Sequence, residues 1–255
     1  MSDERLPTLR SFLKDTIRQQ TDFRATDQAR GVPPPPLQKP CPSDCKRIAL
    51  PVPESLRALG QLDLFAAIAG RESHREFAAT PLNLDELAFL LWATQGVREV
   101  LNPAAALRTV PSAGARHPFE TYLAVRTVKG LKPGLYRYLP FDGELAQLSR
   151  TNNVVSQAGD ACLGQSWMAD AAAVFFWTAI PQRTEWRYGA ASHKVIALDA
   201  GHVCQNLYLA CEAIGCGTCG VGAYGQEAVD RLLGVDGSEE FVVYIAPVGK
   251  KAVPA

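Results

Sequence analysis

Residues 71–75 place two guanidinium groups and one hydroxyl within a short segment, as Arg71, Ser73 and Arg75. The apolar residues 62–70 before them predict a helix that ends at its final glycine. On a continuing helical turn, Arg71 and Arg75 would face the same way. Because guanidinium forks pair bidentately with phosphate oxygens, the segment predicts a phosphate clamp. A solvated helix face is the alternative explanation of the same spacing.

A turn of small residues, Pro111-Ser112-Ala113-Gly114, is the second feature with chemical meaning. Proline and glycine favour a tight turn, and small side chains let a backbone approach a flat ligand closely. An ordinary turn is the alternative here. Together, a phosphate clamp and a close-approach turn suggest a planar cofactor with a phosphate tail, and flavin mononucleotide (FMN) has that shape.

Composition narrows the class of protein. The 47% hydrophobic content is enough for a core, and 255 residues fit one α/β domain with an extension. A formal net charge of zero gives no reason to expect a nucleic-acid partner. We find no apolar run of membrane-spanning length and no apolar signal-peptide core, so no membrane association is expected. The odd count of seven cysteines favours a reducing, cytoplasmic setting over a disulfide framework.

Two regions differ in sequence pattern, and we divide the chain after residue 60. Residues 1–60 form a Pro-rich extension, in which Pro33–Pro36 predicts polyproline II structure. We interpret this extension as an arm over the body or over a partner subunit, with a floppy linker as the alternative. In residues 61–255, helical and strand patterns are mixed rather than strictly alternating, which favours an α+β fold.

The most regular predicted element is a helix over residues 81–96, where leucines recur at spacings of three and four. Asn83 is a suitable N-cap, and Glu86 three residues later completes a capping-box pattern. A long apolar helix is predicted over residues 195–214. Strands are predicted over residues 121–128, 134–139, 172–180 and 241–246.

The ordered segments 71–75, 84–96, 108–115 and 198–207 resemble the nitroreductase family, and within it the branch of SagB-type dehydrogenases. The resemblance covers roughly residues 64–250. It implies a nitroreductase-like fold, with a mixed, mainly antiparallel sheet flanked by helices, and a homodimer. It also implies bound FMN, with NADH or NADPH as the hydride donor.

The resemblance gives cofactor roles to further residues. One segment resembles the loop whose backbone hydrogen-bonds the polar edge of the flavin ring: Cys219, Gly220, Val221 and Gly222. Gln165 resembles the polar residue at the pyrimidine edge, with a surface glutamine as the alternative. Lys250 resembles a basic residue that completes the phosphate site, with a solvated lysine as the alternative. The loop at residues 111–115 is expected to come from the other subunit.

Residues 215–220 also match the dinucleotide fingerprint by letter, and they contain a Cys216-x-x-Cys219 pair. The match follows a predicted helix rather than a strand, which disfavours the dinucleotide interpretation. A redox dithiol would need a helix N-terminus to lower a thiol pKa. We therefore prefer a close-approach loop. Cys41 and Cys45 lack a second ligand pair at zinc-site spacing, so no metal site is predicted.

The pair Arg187-Tyr188 separates functions within the branch. Azoline oxidases carry a Lys-Tyr pair that aligns here and serves proton abstraction, whereas this chain has arginine in place of the lysine. A guanidinium is a poor general base, although it would orient an anionic substrate or a nicotinamide phosphate. The hydroxyl of Tyr188 would relay a proton. A helix-surface arginine and a half-buried tyrosine are the alternative.

We therefore expect an FMN-dependent oxidoreductase. NADH or NADPH would reduce the flavin, and a quinone, a nitroaromatic or another small acceptor would then take the hydride in a ping-pong cycle. A second hypothesis is an azoline or other peptide dehydrogenase of a natural-product pathway, working with a biosynthetic partner protein. A third is a non-catalytic scaffold, against which the intact segments 71–75 and 111–114 argue.

Overall fold

The computed structural model describes residues 4–252. Its α-helices are α1 (Leu6–Leu9), α2 (Thr16–Gln20), α3 (Leu64–Gly70), α4 (Leu84–Gln95), α5 (Val154–Ala161), α6 (Gln182–Tyr188), α7 (Ser192–Ala213) and α8 (Gln226–Leu233). Its strands are β1 (Lys46–Ala49), β2 (Val97–Asn102), β3 (Ala105–Arg108), β4 (Phe119–Val125), β5 (Gly134–Leu139), β6 (Glu144–Ser149), β7 (Ala173–Ala179), β8 (Cys216–Thr218) and β9 (Phe241–Lys250). None of the helices in this range is long and apolar enough to cross a membrane.

Seven strands form one antiparallel sheet in the order β1-β6-β5-β4-β7-β9-β8, and β2 pairs with β3 as a separate hairpin. The inner strands β4 and β7 are buried along their whole length. Because side chains alternate along a strand, Leu123 and Phe175 face the core under α4 and α7. Tyr122 and Phe176 face the opposite core under α5 and α8. The predicted α+β fold, with an antiparallel sheet flanked by helices, is confirmed.

Helix α4 begins with the predicted capping box. The side chain of Asn83 accepts a hydrogen bond from the Glu86 backbone N–H at 2.7 Å, and the Glu86 carboxylate accepts one from the Asn83 N–H at 2.9 Å. Leu87, Leu90 and Leu91 are fully buried against the sheet. This helix and α7 lie side by side on the same face.

The Pro-rich extension is packed against the body. A polyproline II segment makes no internal hydrogen bonds, so its carbonyl groups need outside donors. Four side chains of the body supply them: Trp186 donates to Val32, Arg183 to Pro36, Arg108 to Leu37 and Arg137 to Pro40. Further along the extension, β1 pairs with β6 at the edge of the main sheet. Residues 32–49 are therefore joined to the body rather than hanging free.

Candidate functional site

Segment 71–75 is extended, not helical as the sequence predicted. Helix α3 ends at Gly70, and Arg71 has extended backbone angles of φ −61° and ψ 116°. Ser73 then bridges to Thr218 of β8, whose carbonyl accepts the His74 N–H at 2.9 Å. The prediction of a helical turn was wrong because backbone pairing with an edge strand replaces the helical hydrogen bonds. In an extended segment, residues two apart point to the same side, so Arg71, Ser73 and Arg75 are expected to share one face.

Tyr208 of α7 joins this face to the glycine-rich loop after β8. The Arg71 guanidinium carbon lies 5.4 Å from the centroid of the Tyr208 ring, and the Ser73 and Tyr208 hydroxyls are 3.0 Å apart. The Gly220 backbone N–H donates to the same Tyr208 hydroxyl at 2.7 Å. The Arg75 guanidinium carbon lies 5.9 Å from the centroid of the Trp167 ring. Within residues 4–252, neither guanidinium has a carboxylate partner, so both remain available to an anion.

Gly220, in the loop at residues 219–222, lies too close to its neighbours to carry a side chain. A Cβ atom on Gly220 would lie 2.4 Å from the Tyr244 hydroxyl and 3.2 Å from Cys204 Sγ. Val221 exchanges backbone hydrogen bonds with Ile245 of β9, which fixes the loop to the sheet. A Cβ atom on Gly222 would meet nothing within 4 Å, and the approach of this backbone to a flavin ring, which the resemblance implies, stays a prediction.

Gln165 lies beside the same loop. Its side-chain amide donates to the carbonyl of Ala223 at 2.9 Å and to that of Cys162 at 3.0 Å. The structure thus brings together the arginine segment, the glycine-rich loop and Gln165, three features that lie far apart in sequence.

The cysteine pair in this region is buried. Cys216 lies in β8, and Cys219 follows it with 3% exposure. Burial raises the pKa of Cys216 to about 12, which disfavours the thiolate. This environment does not favour the dithiol alternative.

Lys250 is engaged elsewhere. Its ammonium group forms an ion pair with Glu86 and donates to the carbonyl of Ile214 at 2.8 Å. These contacts tie the end of β9 to the start of α4, and the polar contacts found for Lys250 in the described chain include none with the arginine segment. The geometry therefore gives Lys250 a structural role and does not support the expected phosphate contact.

The Pro111–Gly114 turn lies on a different part of α7. The Ser112 hydroxyl donates to the Asp199 carboxylate at 2.6 Å, and the Ala113 N–H donates to it at 3.2 Å. Asp199 precedes Tyr208 by nine residues, which corresponds to about 13.5 Å along a helix axis. Within one chain, the turn and the arginine segment therefore contact separate stretches of the same helix.

Asp199 is a site residue that the sequence analysis did not single out. It is 4% exposed, and burial raises the pKa of its carboxyl group, an effect that the hydrogen bonds from Ser112 and Ala113 oppose. The sequence feature that could have identified Asp199 was a carboxylate within a long apolar helix, because such a group needs a partner when it is buried. Tyr208 was also missed, since an aromatic residue on an apolar helix usually belongs to the core.

Gly114 packs directly against Arg187 and Tyr188. It has φ +61°, and a Cβ atom there would lie 2.7 Å from Arg187 Cδ and 2.8 Å from the Tyr188 hydroxyl. The Arg187 guanidinium carbon lies 5.6 Å from the centroid of the Tyr188 ring. The guanidinium carbon of Arg18 in α2 also lies 5.9 Å from the centroid of the Tyr188 ring. The predicted cofactor turn and the predicted catalytic pair are therefore in contact.

An apolar cavity of about 380 Å³ lies between α7 and β9. Its lining includes Ile196 and Ala200 of α7, Val243 and Tyr244 of β9, and Gly222 of the glycine-rich loop. The cavity thus extends from that loop along the stretch of α7 that also holds the Pro111–Gly114 turn. Its apolar walls suit a flat aromatic ligand.

The sequence model of the nitroreductase family matches residues 68–250, and the chain belongs to this family of oxidoreductases. It is 33% identical over 191 residues to MJ1384 of Methanocaldococcus jannaschii, named as a nitroreductase, and the match covers 75% of this chain and 92% of that protein. A solved structure from Ralstonia eutropha, also named as a nitroreductase, superposes with a TM-score of 0.68 at 25% identity. That superposition covers 87% of this chain and 100% of the other.

A further relative is the trifolitoxin-processing protein TfxB of Rhizobium leguminosarum bv. trifolii. The two are 27% identical over 163 residues, which is 61% of this chain and 44% of TfxB. This chain therefore matches less than half the length of TfxB.

Proposed function

We propose that this protein is an FMN-dependent oxidoreductase that takes hydride from NADH or NADPH and passes it to a small acceptor such as a quinone or a nitroaromatic. The observation that carries the proposal is the position of Arg71, Ser73 and Arg75 next to the glycine-rich loop. The Arg71 guanidinium and the Ser73 hydroxyl both contact Tyr208, whose hydroxyl accepts the Gly220 N–H, and within residues 4–252 neither Arg71 nor Arg75 pairs with a carboxylate. This donor set suits a phosphate group close to a tight glycine loop.

The residues present fit FMN. Arg71, Ser73 and Arg75 would hold the phosphate, and the backbone of residues 219–222 with Gln165 would contact the polar edge of the ring. When bound, the flavin would supply the hydride chemistry, while the protein supplies position and electrostatics. The apolar walls between α7 and β9 would exclude water from the ring.

We also propose a homodimer, which the separation of the two halves of the site within one chain supports. The Pro111–Gly114 turn sits on α7 at Asp199, away from the arginine segment of its own chain, and we propose that it serves the site of a second copy. Helix α3 supports this arrangement, because Leu64, Phe65 and Ile68 are 64%, 80% and 58% exposed on the helix that leads into the arginine segment.

Tyr188 and Arg187 would act on the acceptor. The Tyr188 hydroxyl, next to Gly114, would donate or relay a proton, and the permanently charged Arg187 would orient the acceptor rather than remove a proton from it. The free cysteines of this chain also suit a reducing compartment, which supports the proposed cytoplasmic location.

The second candidate is an azoline or other peptide dehydrogenase that works with a biosynthetic partner protein. Its support is the similarity to TfxB, a protein named for toxin processing. Against it stands Arg187, since azoline oxidation needs a base for a carbon-bound proton. A non-catalytic scaffold would have no need for Arg71 and Arg75 to remain without carboxylate partners.

The deciding experiment reduces the FMN-loaded protein anaerobically with NADH or NADPH and then adds menadione or nitrobenzene as the acceptor. In a separate sample, a thiazoline peptide is added to the protein with its FMN still oxidised, because the peptide would have to give hydride to the flavin. We expect a nicotinamide to bleach the flavin and the quinone or nitroaromatic to restore its colour. Oxidation of the peptide by the wild-type protein, without any response to NADH or NADPH, would favour the second candidate. Arg187→Lys is the matched variant, because it restores a titratable amine at the position of the missing base.

A further inference from the structure

An arginine cluster lies beneath and beside the Pro111–Gly114 turn. It consists of Arg116, Arg183 and Arg187, and the charges of Arg183 and Arg187 both act on Arg116. Arg183 is neutralised by Glu120, with 2.5 Å between its terminal nitrogen and the carboxylate. In the described chain, neither Arg116 nor Arg187 forms an ion pair with an acidic side chain. The cluster therefore has an excess of positive charge.

Arg116 is the buried member of the cluster, with 1% exposure. Its Nε donates to the Arg183 carbonyl at 2.5 Å, and its guanidinium carbon lies 4.7 Å from the centroid of the Trp186 ring. Both terminal nitrogens lack a hydrogen-bond partner in the described chain. Burial, and then repulsion from Arg183 and Arg187, lowers the pKa of Arg116 to about 10. A buried cation in this state is stabilised by any anion that binds nearby.

Arg187 is the exposed member, and it marks where such an anion would bind. Its side chain crosses Gly114 on the way to solvent, with Nε 2.8 Å from the position that a Cβ would take. The Tyr188 hydroxyl lies at the same point and adds a neutral donor. A guanidinium fork with a hydroxyl beside it is a suitable arrangement for a carboxylate, and the charge of Arg116 behind it strengthens the attraction.

We propose that Arg187, backed by Arg116, forms an anion subsite that takes a carboxylate group of the acceptor. The inference rests on the proposed function, because it places the reducible part of the acceptor near the turn at residues 111–114. It predicts that the enzyme prefers flat acceptors bearing a carboxylate, such as aromatic nitro acids, over their neutral counterparts. The 2′-phosphate of NADPH has similar chemistry, and the test below separates the two sources.

The experiment has a binding arm that does not depend on turnover. Calorimetry with the FMN-loaded protein compares benzoate with benzamide, a neutral molecule of nearly the same shape. We expect benzoate to bind at least about tenfold more tightly, and we expect Arg187→Ala to remove that preference. Arg187→Lys should keep part of it, because the charge remains while the fork is lost. Arg231→Ala, an exposed arginine on α8 at the opposite face of the sheet, is the control and should bind as wild type does.

A kinetic arm compares 4-nitrobenzoate with its methyl ester. We expect Arg187→Ala to raise KM for the acid about tenfold more than it raises KM for the ester. Equal binding of benzoate and benzamide to the wild-type protein would overturn the subsite. An unchanged benzoate preference, together with weaker binding of NADPH but not NADH in Arg187→Ala, would assign the subsite to the nicotinamide phosphate and overturn the carboxylate proposal. Failure of both nitro compounds and of menadione to react, with a clear benzoate preference, would refute the proposed function while retaining the subsite.

Discussion

Replacing Asp199 with alanine should detach the Pro111–Gly114 turn from α7. The carboxylate is 4% exposed and accepts hydrogen bonds from the Ser112 hydroxyl at 2.6 Å and from the Ala113 N–H at 3.2 Å. The Ser112 oxygen in turn accepts the His117 N–H at 2.9 Å, so Asp199 also positions the residues that follow the turn. Each hydrogen bond to a charged group contributes about 1.5–3 kcal/mol. Because burial of the carboxylate opposes this gain, we expect a net loss of about 2–3 kcal/mol.

If the turn completes the flavin site of a second copy, this loss will appear in cofactor affinity. A change of about 2–3 kcal/mol corresponds to roughly 30- to 150-fold weaker FMN binding. Quenching of FMN fluorescence during titration measures the affinity, and thermal unfolding of the protein without FMN measures stability separately. Asp199→Asn should lose less, because its amide oxygen still accepts one hydrogen bond. Asp160→Ala, an exposed aspartate on α5, is the control. FMN affinity equal to wild type in Asp199→Ala would refute the role of the turn.

Three further predictions address the clamp, the turn and acid stability. Arg71→Ala or Arg75→Ala should weaken FMN binding about ten- to a hundredfold with little change in thermal unfolding; unchanged affinity in both would mean that they are surface charges. Gly114→Ala should lower FMN affinity about tenfold or more, because its left-handed backbone costs alanine about 1–2 kcal/mol and the new Cβ collides with its neighbours; a wild-type titration curve would contradict this. Burial, with repulsion from a nearby arginine, lowers the pKa of His117 from 6.5 to about 3, so the unfolded chain takes up the proton first as the pH falls. Folding stability should therefore drop by up to about 1.4 kcal/mol per pH unit between pH 6.5 and 3, and His117→Asn, which tolerates the positive φ, should flatten that slope in urea unfolding.

Local sequence patterns predicted those parts of the fold that depend on the residue types within one short segment. The capping box of Asn83 and Glu86 uses neighbouring groups only, so the start of α4 was predictable from the sequence. The apolar run of β7 likewise indicated a buried inner strand, because both faces of that strand are covered.

The local sequence patterns did not predict contacts between residues that are distant in sequence. Residues 71–75 are extended because they pair with Thr218 of β8, more than 140 positions away, and no local pattern reveals that pairing. The ion pair of Lys250 with Glu86 likewise joins residues that are distant in sequence. The types of the candidate site residues were visible in the sequence, whereas the roles of Asp199 and Tyr208 depend on which loops reach α7.

The hydrogen bonds that anchor the Pro-rich extension to the body were also not predictable from the sequence. A run of prolines indicated an extended arm, but the donors that hold it come from separate parts of the body, such as Arg137 in β5 and Trp186 in α6. Without the extension over them, these side chains would lie at the protein surface. The short strands β1 and β8 carry too few residues for a clear period-two pattern.

The most direct test of the account is the visible absorption spectrum of the purified protein after incubation with FMN and removal of free flavin, recorded before and after anaerobic addition of NADH or NADPH. We predict that the protein retains the oxidised-flavin bands and that the nicotinamide bleaches them. The double variant with Arg71 and Arg75 changed to alanine should retain little flavin under the same treatment. A wild-type protein that emerges colourless, or that holds flavin equally well without the two arginines, would contradict the account.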